Sequence, residues 1–484
     1  MDKFYHFLTL TGIGLYWFLV AGVTLRVVLK RRAVSVSLAW LMIIYILPVL
    51  GVACYFLFGE LNLGRKRAER AKEMFTPFAK WFSQLNDCHA HMPETMGRHI
   101  YRIDELCNNR LGLPALSGNT LSLQQSPDEI LHSIIEDIEN AKTSIRMVFY
   151  IWHPGGLADS VASALIQASK RGVDVKLLLD SAGSPRFFRS PWYKMMKDSG
   201  IEVIQALEVK MWRMFLRRLD LRQHRKIIVI DDEIAYTGSM NLVDPAYFKQ
   251  SRGVGRWIDI MVRVTGPTVN VLSAIHCWDW EVETGERYLP KLPECKIDNS
   301  KYQHPIQVVP SGPGMPEYLI YQVLTLAINQ ANRSVRITTP YFVPNTDLLE
   351  TLKMTAQRGI DVELIIPHKN DSLMVQWASR AFYSELLAAG VKIYEFYGGL
   401  LHTKSVVIDD QFCLVGTVNM DMRSLWLNFE VTLAVDDEEF TKQLSWLQDG
   451  YIKQSHPVVL DEWEKRSLYS RFLERVFYLF NPLL

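Results

Sequence analysis

QHRKIIVIDDEIAYTGSMN, Gln223 to Asn241, is written a second time as LHTKSVVIDDQFCLVGTVN, Leu401 to Asn419, at an offset of 178 residues (402 − 224 = 178). The β-branched run after each histidine predicts a strand, and side chains at i and i+2 of a strand share a face. His224 and Lys226 therefore point together, as do His402 and Lys404. Asp231 and Asp409 fall where each strand should end, which suits turn or ion-pair residues with a structural role. Beyond them stand Gly238, Ser239 and Asn241, matched by Gly416, Thr417 and Asn419. Their hydroxyl and amide groups suit an anionic oxygen, and glycine allows close backbone approach. A single HxK would mean little more than a satisfied histidine beside a surface lysine. His, Lys and Asp at this spacing should recur by chance in only about one such chain in a thousand.

Working outward, the repeat extends well beyond the motif. AKTSIRMVFYIW (141–152) matches ANRSVRITTPYF (331–342), RGVDVKLLLD (171–180) matches RGIDVELIIP (358–367), and SGIEVIQAL (199–207) matches AGVKIYEFY (389–397). In each half a β-branched run is followed by a helical stretch and another β run, the pattern of an α/β fold with a largely buried sheet. The Pro-bearing stretch 289–305 divides the halves. The expected plan is a membrane hairpin over 1–60, a basic helical connector over 61–115, α/β domains over 116–290 and 300–460, and an amphipathic tail over 461–484.

The repeat has one mismatch. The SGIEV and AGVKI segments are offset by 190 residues (390 − 200 = 190), so the first half carries 12 extra residues (190 − 178 = 12) before its motif. They lie within LEVKMWRMFLRRLDLRQ, where Lys210, Arg213, Arg217, Arg218 and Arg222 alternate with Trp212, Met214, Phe215 and Leu216. That composition suits an anionic lipid surface; a solvated helix with one core face is the plainer reading. The closing SRFLERVFYLFNPLL (470–484), apolar at Phe472, Leu473, Val476, Phe477 and Phe480, reads as an interfacial helix or as ordinary packing.

The N-terminus differs in kind. Residues 4–25 hold no Asp, Glu, Lys or Arg, enough for about 33 Å of helix, and residues 33–59 repeat the feature around Pro48. A cleaved signal peptide would leave the second run unexplained. Two spanning helices are expected, with Tyr16, Trp17, Trp40 and Tyr55 at headgroup depth. Basic residues flank both ends of the second run, Arg26 to Arg32 before it and Arg65 to Lys72 after it. A re-entrant or strongly tilted hairpin with both flanks on the cytoplasmic side would satisfy the positive-inside rule. Elsewhere, 53 basic against 52 acidic residues leave a net charge of +1, which argues against a nucleic-acid partner. The six cysteines lack metal-ligand spacing, so free thiols and no metal site are expected.

Two HxK units facing each other across a pseudo-twofold axis suit a phosphodiester. One neutral imidazole attacks phosphorus to give a phosphohistidine, and the other protonates the leaving alcohol and deprotonates the incoming one. The two lysines and two asparagines surround the non-bridging oxygens, charge stabilisation that a metal supplies elsewhere. Each histidine also needs a carboxylate on its other ring nitrogen. Glu430, in NFE, and Asp259, in WID, are the downstream acids chosen for this, with the assignment of acid to histidine open.

The chain at this point resembles the phospholipase D superfamily, whose HKD signature is met by His224, Lys226 and Asp231 and again by His402, Lys404 and Asp409. AWLMIIYILPVLG, GELNLGRKRAERA, GSMNLVDPAYFKQ, DMRSLWLNFE and the closing NPLL are similar to the bacterial cardiolipin synthases within it. The resemblance covers essentially the whole chain. It implies two phospholipase D-like α/β domains behind the N-terminal transmembrane hairpin, in a multi-pass protein of the bacterial inner membrane; the basic flanks favour the cytoplasmic side for the active site. It counts both complete HKD sets as catalytic, with His224 as nucleophile and His402 as acid. It further implies phosphatidyl transfer between two phosphatidylglycerol molecules, giving cardiolipin and glycerol without a cofactor. A nuclease or hydrolase of the same superfamily, and a non-catalytic membrane scaffold, are the rival expectations.

Overall fold

The structure, a computed structural model, describes residues 2–30, 34–59, 64–85, 98–208, 220–293 and 304–480. Residues 209–219 of the basic stretch, Lys210 to Arg218 among them, lie outside them, as do Cys88 and Cys295. The chain divides into an N-terminal helical unit and a main body that begins at Glu69.

In the N-terminal unit, α1 (Asp2–Leu29) is a single helix of 28 residues. Phe4–Leu29 within it is long and apolar enough to cross a bilayer. The second apolar run departs from the expected second span. α2 (Val34–Ile46) has 13 residues, Leu47 leaves helical backbone at φ −125° and ψ 70°, and α3 (Pro48–Cys54) starts afresh. The cause is local: proline disfavours helical backbone at the residue before it and donates no N–H. α2 and α3 pack against each other. Val20, Val23 and Val27 of α1 pack in one cluster with Ile44, Val52 and Tyr55. Tyr55 is fully buried, 5.4 Å from the Trp40 ring, so it is a packing residue rather than a headgroup anchor.

The main body contains the repeat in three dimensions. Its first sheet runs Thr120–Gln124, Met261–Thr265, Ile234–Gly238, Ile227–Ile230, Ser144–Phe149, Asp174–Asp180, Glu202–Ala206. The second runs, from the matching edge, Ile306–Ser311, Glu430–Val435, Phe412–Gly416, Ser405–Ile408, Ser334–Thr338, Asp361–Pro367, Lys392–Phe396, with Ser455–Pro457 added at the far side. In both, the last three shared strands are mutually parallel and the motif strand pairs antiparallel with the first of them. The strands IIVI and SVVI are buried throughout, as β-branched runs covered on both faces require. Helix Thr268–Thr284 is buried almost along its whole length and packs on strands of both sheets. The core accordingly runs without a break from one half into the other.

α4 (Arg65–Ser83) and α5 (Arg98–Leu111) occupy the connector region. From Glu69 onward α4 is tied down: Arg70 donates to the carbonyls of Val282 and Glu283, and Trp81 Nε1 to that of Pro290.

Candidate active site

Each HxK motif begins where its half hydrogen-bonds to the other half. His224 N–H donates to the Phe429 carbonyl at 3.0 Å, and His402 N–H to the Ile258 carbonyl at 2.8 Å. The residues after those carbonyls are Glu430 and Asp259. Backbone pairing therefore brings each acid to the histidine of the opposite repeat. Nδ1 of His224 lies 2.8 Å from the Glu430 carboxylate, and Nδ1 of His402 lies 2.6 Å from Asp259 Oδ1. The acid assignment that the sequence leaves open is thus a crossed one.

The support around each acid is also doubled. Ser239 Oγ donates to Asp259 at 2.6 Å and accepts from Ile260 N–H at 2.9 Å. Thr417 Oγ1 donates to Glu430 at 2.5 Å and accepts from Val431 N–H at 3.0 Å. Ser239 and Thr417, expected at the substrate anion, here donate to the two carboxylates. The close approach needs the preceding glycines: a Cβ on Gly238 would run into the Ile260 carbonyl, and one on Gly416 into that of Val431.

The remaining motif residues divide by role. Lys226 Nζ donates to its own strand's His224 carbonyl at 2.7 Å, and Lys404 Nζ to that of His402 at 2.6 Å. An ammonium has three donors, so each lysine keeps protons for a further acceptor. Asn241 Oδ1 accepts from Ile151 N–H at 3.2 Å, while Asn419 Nδ2 donates to Ser424 Oγ at 3.2 Å, so the two amides are not equivalent.

Asp231 and Asp409 stand apart from the histidines. Asp231 accepts from the backbone N–H groups of Lys142, Thr143 and Ser144, and Asp409 from those of Asn332, Arg333 and Ser334. Both, with Asp232 and Asp410 after them, sit in the left-handed region at φ 55° to 57°, which aspartate tolerates better than most residues. Each clamps the loop before its half's first parallel strand, away from His224 and His402.

The six inner groups, His224, Lys226, Asp259, His402, Lys404 and Glu430, are all buried. Burial drives both histidines down to about 4, with the facing carboxylates opposing and the lysines reinforcing the shift. It also lowers Lys226 to about 7 and Lys404 to about 8. Burial is the largest influence and raises the two acids, but the imidazole, lysine and hydroxyl donor around each together outweigh it and hold both below the ordinary carboxylate range. Ionised acids accept only, so Nδ1 of each imidazole is the donor and each Nε2 keeps its lone pair.

Three contributors are not singled out by the sequence. The Tyr150 ring lies 5.0 Å from His224, and the Trp257 ring 4.6 Å from His402. Arg225, between His224 and Lys226, is fully buried. It donates to the carbonyls of Glu430 and Ser311 at 3.0 Å each and pairs with Asp279. Trp257 is traceable as the neighbour at i−2 of Asp259; nothing in the sequence marks Tyr150 or Arg225.

Comparison with known proteins matches the geometry. The family described as "Cardiolipin synthase, PLD-like domain" covers residues 134–260 and 324–447, one segment in each half. Cardiolipin synthase A of Edwardsiella ictaluri is 54% identical over 486 aligned residues, covering 100% of both chains. That of Yersinia pseudotuberculosis is 53% identical at the same coverage. The chain belongs to the cardiolipin synthase A family. A second family, "Phospholipase_D-nuclease N-terminal", matches residues 12–60 and so takes in most of α1 with α2 and α3. Among solved structures, phosphatidylserine synthase of Haemophilus influenzae aligns with a TM-score of 0.57 at 16% identity, over 80% of this chain and 98% of that one. It shares the fold of the cardiolipin synthase A body.

Proposed function

We propose that this chain is a membrane-associated phosphatidyltransferase that joins two phosphatidylglycerol molecules into cardiolipin and releases glycerol. The observation that carries the reading is the crossed pairing of His224 with Glu430 and His402 with Asp259, which leaves two imidazole Nε2 atoms free for chemistry. His224 Nε2 attacks the donor's phosphorus. The phosphorus–oxygen bond to the headgroup glycerol breaks, and His402 delivers the proton that this leaving oxygen needs. A primary hydroxyl of the second phosphatidylglycerol then gives its proton to His402 and attacks phosphorus, breaking the phosphorus–nitrogen bond. Lys226, Lys404 and the Asn241 amide supply donors for the non-bridging oxygens, where charge builds in each transition state. The bonds broken and formed are alike, so the overall free-energy change is small and excess glycerol drives the reaction backwards.

Membrane placement belongs to the same reading. A single crossing by α1, with α2 and α3 bending back at Leu47, keeps both basic flanks of that segment, and with them the catalytic body, on the cytoplasmic side of the inner membrane. Cysteine labelling across intact membranes tests the sidedness. The decisive test of function supplies phosphatidylglycerol vesicles to purified enzyme and measures cardiolipin, glycerol and phosphatidic acid together, with and without excess glycerol. Cardiolipin and glycerol in equal amounts, with reversal by glycerol, is the expected result. Phosphatidic acid as the main product would make the enzyme a hydrolase.

A further inference from the structure

The C-terminal helix Leu468–Tyr478 presents an apolar face that the protein does not cover. Leu468 is 82% exposed, Phe472 63% and Leu479 75%, with Tyr469 beside them. These positions recur at helical spacing on one side, while Phe477 packs on the core and Glu474 is buried against Arg466. Glu474 is the helix's one acid, so its outer side carries Arg471 and Arg475 with no carboxylate. Apolar and aromatic side chains edged by arginine form the composition of a helix lying in the headgroup layer of an anionic bilayer.

The neighbouring helix links this face to the reaction centre through the loop before it. The helix packs on Leu373–Arg380, whose first residues Leu373 and Met374 are also exposed, Leu373 at 64%. Just before that helix, Asp371 accepts from Tyr341 at 2.7 Å and pairs with the half-exposed Lys249 at 2.9 Å. Lys249 Nζ lies 5.1 Å from the Trp257 ring centroid, and that ring packs on His402. A chain of contacts therefore runs from Asp371, two residues before Leu373, through Lys249 and Trp257 to the histidine that handles the alcohol's proton.

We propose that helix Leu468–Tyr478, with Leu373 and Met374, is a second membrane contact that seats the His402 side of the active site on a phosphatidylglycerol-containing bilayer. The inference rests on the phosphatidyl-transfer reading above and goes beyond it. With this face in the headgroup layer, a lipid keeps its acyl chains in the bilayer while its glycerol reaches His402. Lone apolar residues on a surface need no explanation; a cluster of them on two packed helices, next to the loop that carries Asp371, does.

The test uses the full-length enzyme in phosphatidylglycerol nanodiscs. A bimane label on Phe472→Cys, in a background without other reactive thiols, is exposed to spin-labelled lipid and to aqueous iodide. Quenching by the lipid, at least five-fold stronger than by iodide, is expected. Iodide quenching alone would overturn the proposal. Protection from both quenchers, together with disulfide-linked dimers of the unlabelled Phe472→Cys variant, would overturn it too, since a second copy would then be the occupant. In parallel, Phe472→Glu/Leu479→Glu should lower the ratio of transfer on bilayer phosphatidylglycerol to transfer on a monomeric short-chain form at least ten-fold. An unchanged ratio would overturn the proposal even if total activity falls. If neither lipid form gives cardiolipin with the unsubstituted enzyme, the transferase reading fails, and the quenching result still decides the membrane contact.

Discussion

Glu430 lies 2.8 Å from the His224 ring although the two belong to different repeats, and Asp259 returns the relationship to His402 at 2.6 Å. Neither half contains a complete histidine–carboxylate pair. Each acid fixes Nδ1–H of its partner and favours the imidazolium that forms when Nε2 takes a proton, a role whose removal costs about 10⁴-fold in a comparable triad. Glu430→Gln and Asp259→Asn are each expected to lower kcat by about 10²–10⁴-fold with little change in KM. His224→Ala and His402→Ala should abolish transfer. Steady-state kinetics on vesicles checks all four, and near-normal turnover in either alanine variant would sink the two-histidine mechanism.

Asp231 and Asp409 should behave in the opposite way. Each accepts three backbone N–H groups ahead of a parallel strand. Asp231→Ala or Asp409→Ala leaves those donors unpaired, at a cost of about 2–4 kcal/mol, and should lower the melting temperature of the purified enzyme. Turnover per folded molecule should stay within about ten-fold, because neither acid touches His224 or His402; the histidine beside Asp409 is His99, outside the site. Burial raises both carboxyls, but the backbone donors outweigh it and depress them. Their contribution is therefore present above the unfolded carboxyl value of about 4 and is lost as pH falls through the lower folded value. Thermal melts of wild type and variants between pH 3 and 7 should converge at the acid end.

Much of this architecture is legible in the chain itself. β-branched runs at matched offsets announce two α/β halves, because buried parallel strands need that composition. The i, i+2 spacing puts His224 with Lys226 and His402 with Lys404. What stays hidden depends on long-range backbone pairing. Nothing local says that Phe429 meets His224 or that Ile258 meets His402, so the crossing of the acids is open until the halves are brought together. Ser239 and Thr417 are recognisable as useful hydroxyls, but a residue type does not show which way its proton points. The second apolar run looks like a span by composition, and the pre-proline effect at Leu47 breaks it. Phe472 and Phe477 look alike in the C-terminal segment, and only packing shows that one faces out and the other in.

Arg225 provides a test of how the halves are held together. Its guanidinium reaches Glu430, Ser311 and Asp279 with no exposure to solvent. Arg225→Met leaves Asp279 as a buried unpaired charge, a loss of about 3–5 kcal/mol. Arg225→Met/Asp279→Leu removes both charges and should recover part of that stability. Activity should remain low in both variants, since the Glu430 carbonyl loses its donor either way. Melting temperatures and turnover of wild type, Arg225→Met and the double variant check this; recovery of full activity in the double variant would show that Arg225 acts on stability alone.

The charge balance of the buried site leads to the last prediction. With both histidines lowered to about 4 and the lysines to about 7 and 8, the site at pH 6 holds two charged lysines, two carboxylates and two neutral rings, for a net charge near zero (2 − 2 = 0). A neutral His224 suits a nucleophile, but a neutral His402 has no proton to give. The phosphodiester changes this by bringing one negative charge beside the rings, which raises an imidazole's affinity for a proton. Binding should therefore take up about one proton per diester near pH 6–7. Calorimetric titration with a phosphonate analogue of phosphatidylglycerol, whose headgroup cannot leave, in two buffers of different ionisation enthalpy measures this uptake. Zero uptake would mean that the acid is already protonated in the free enzyme. The same groups set the limbs of kcat/KM. As pH falls towards about 4, His224, the proposed nucleophile, is itself protonated. As pH rises through about 7 and 8, Lys226 and Lys404 lose the charge that holds the diester, and the proton that His402 must recruit becomes scarcer. A bell with its maximum between those limits is expected, and Lys404→Met should weaken substrate capture across the whole profile, because no later proton gain can restore the missing ammonium.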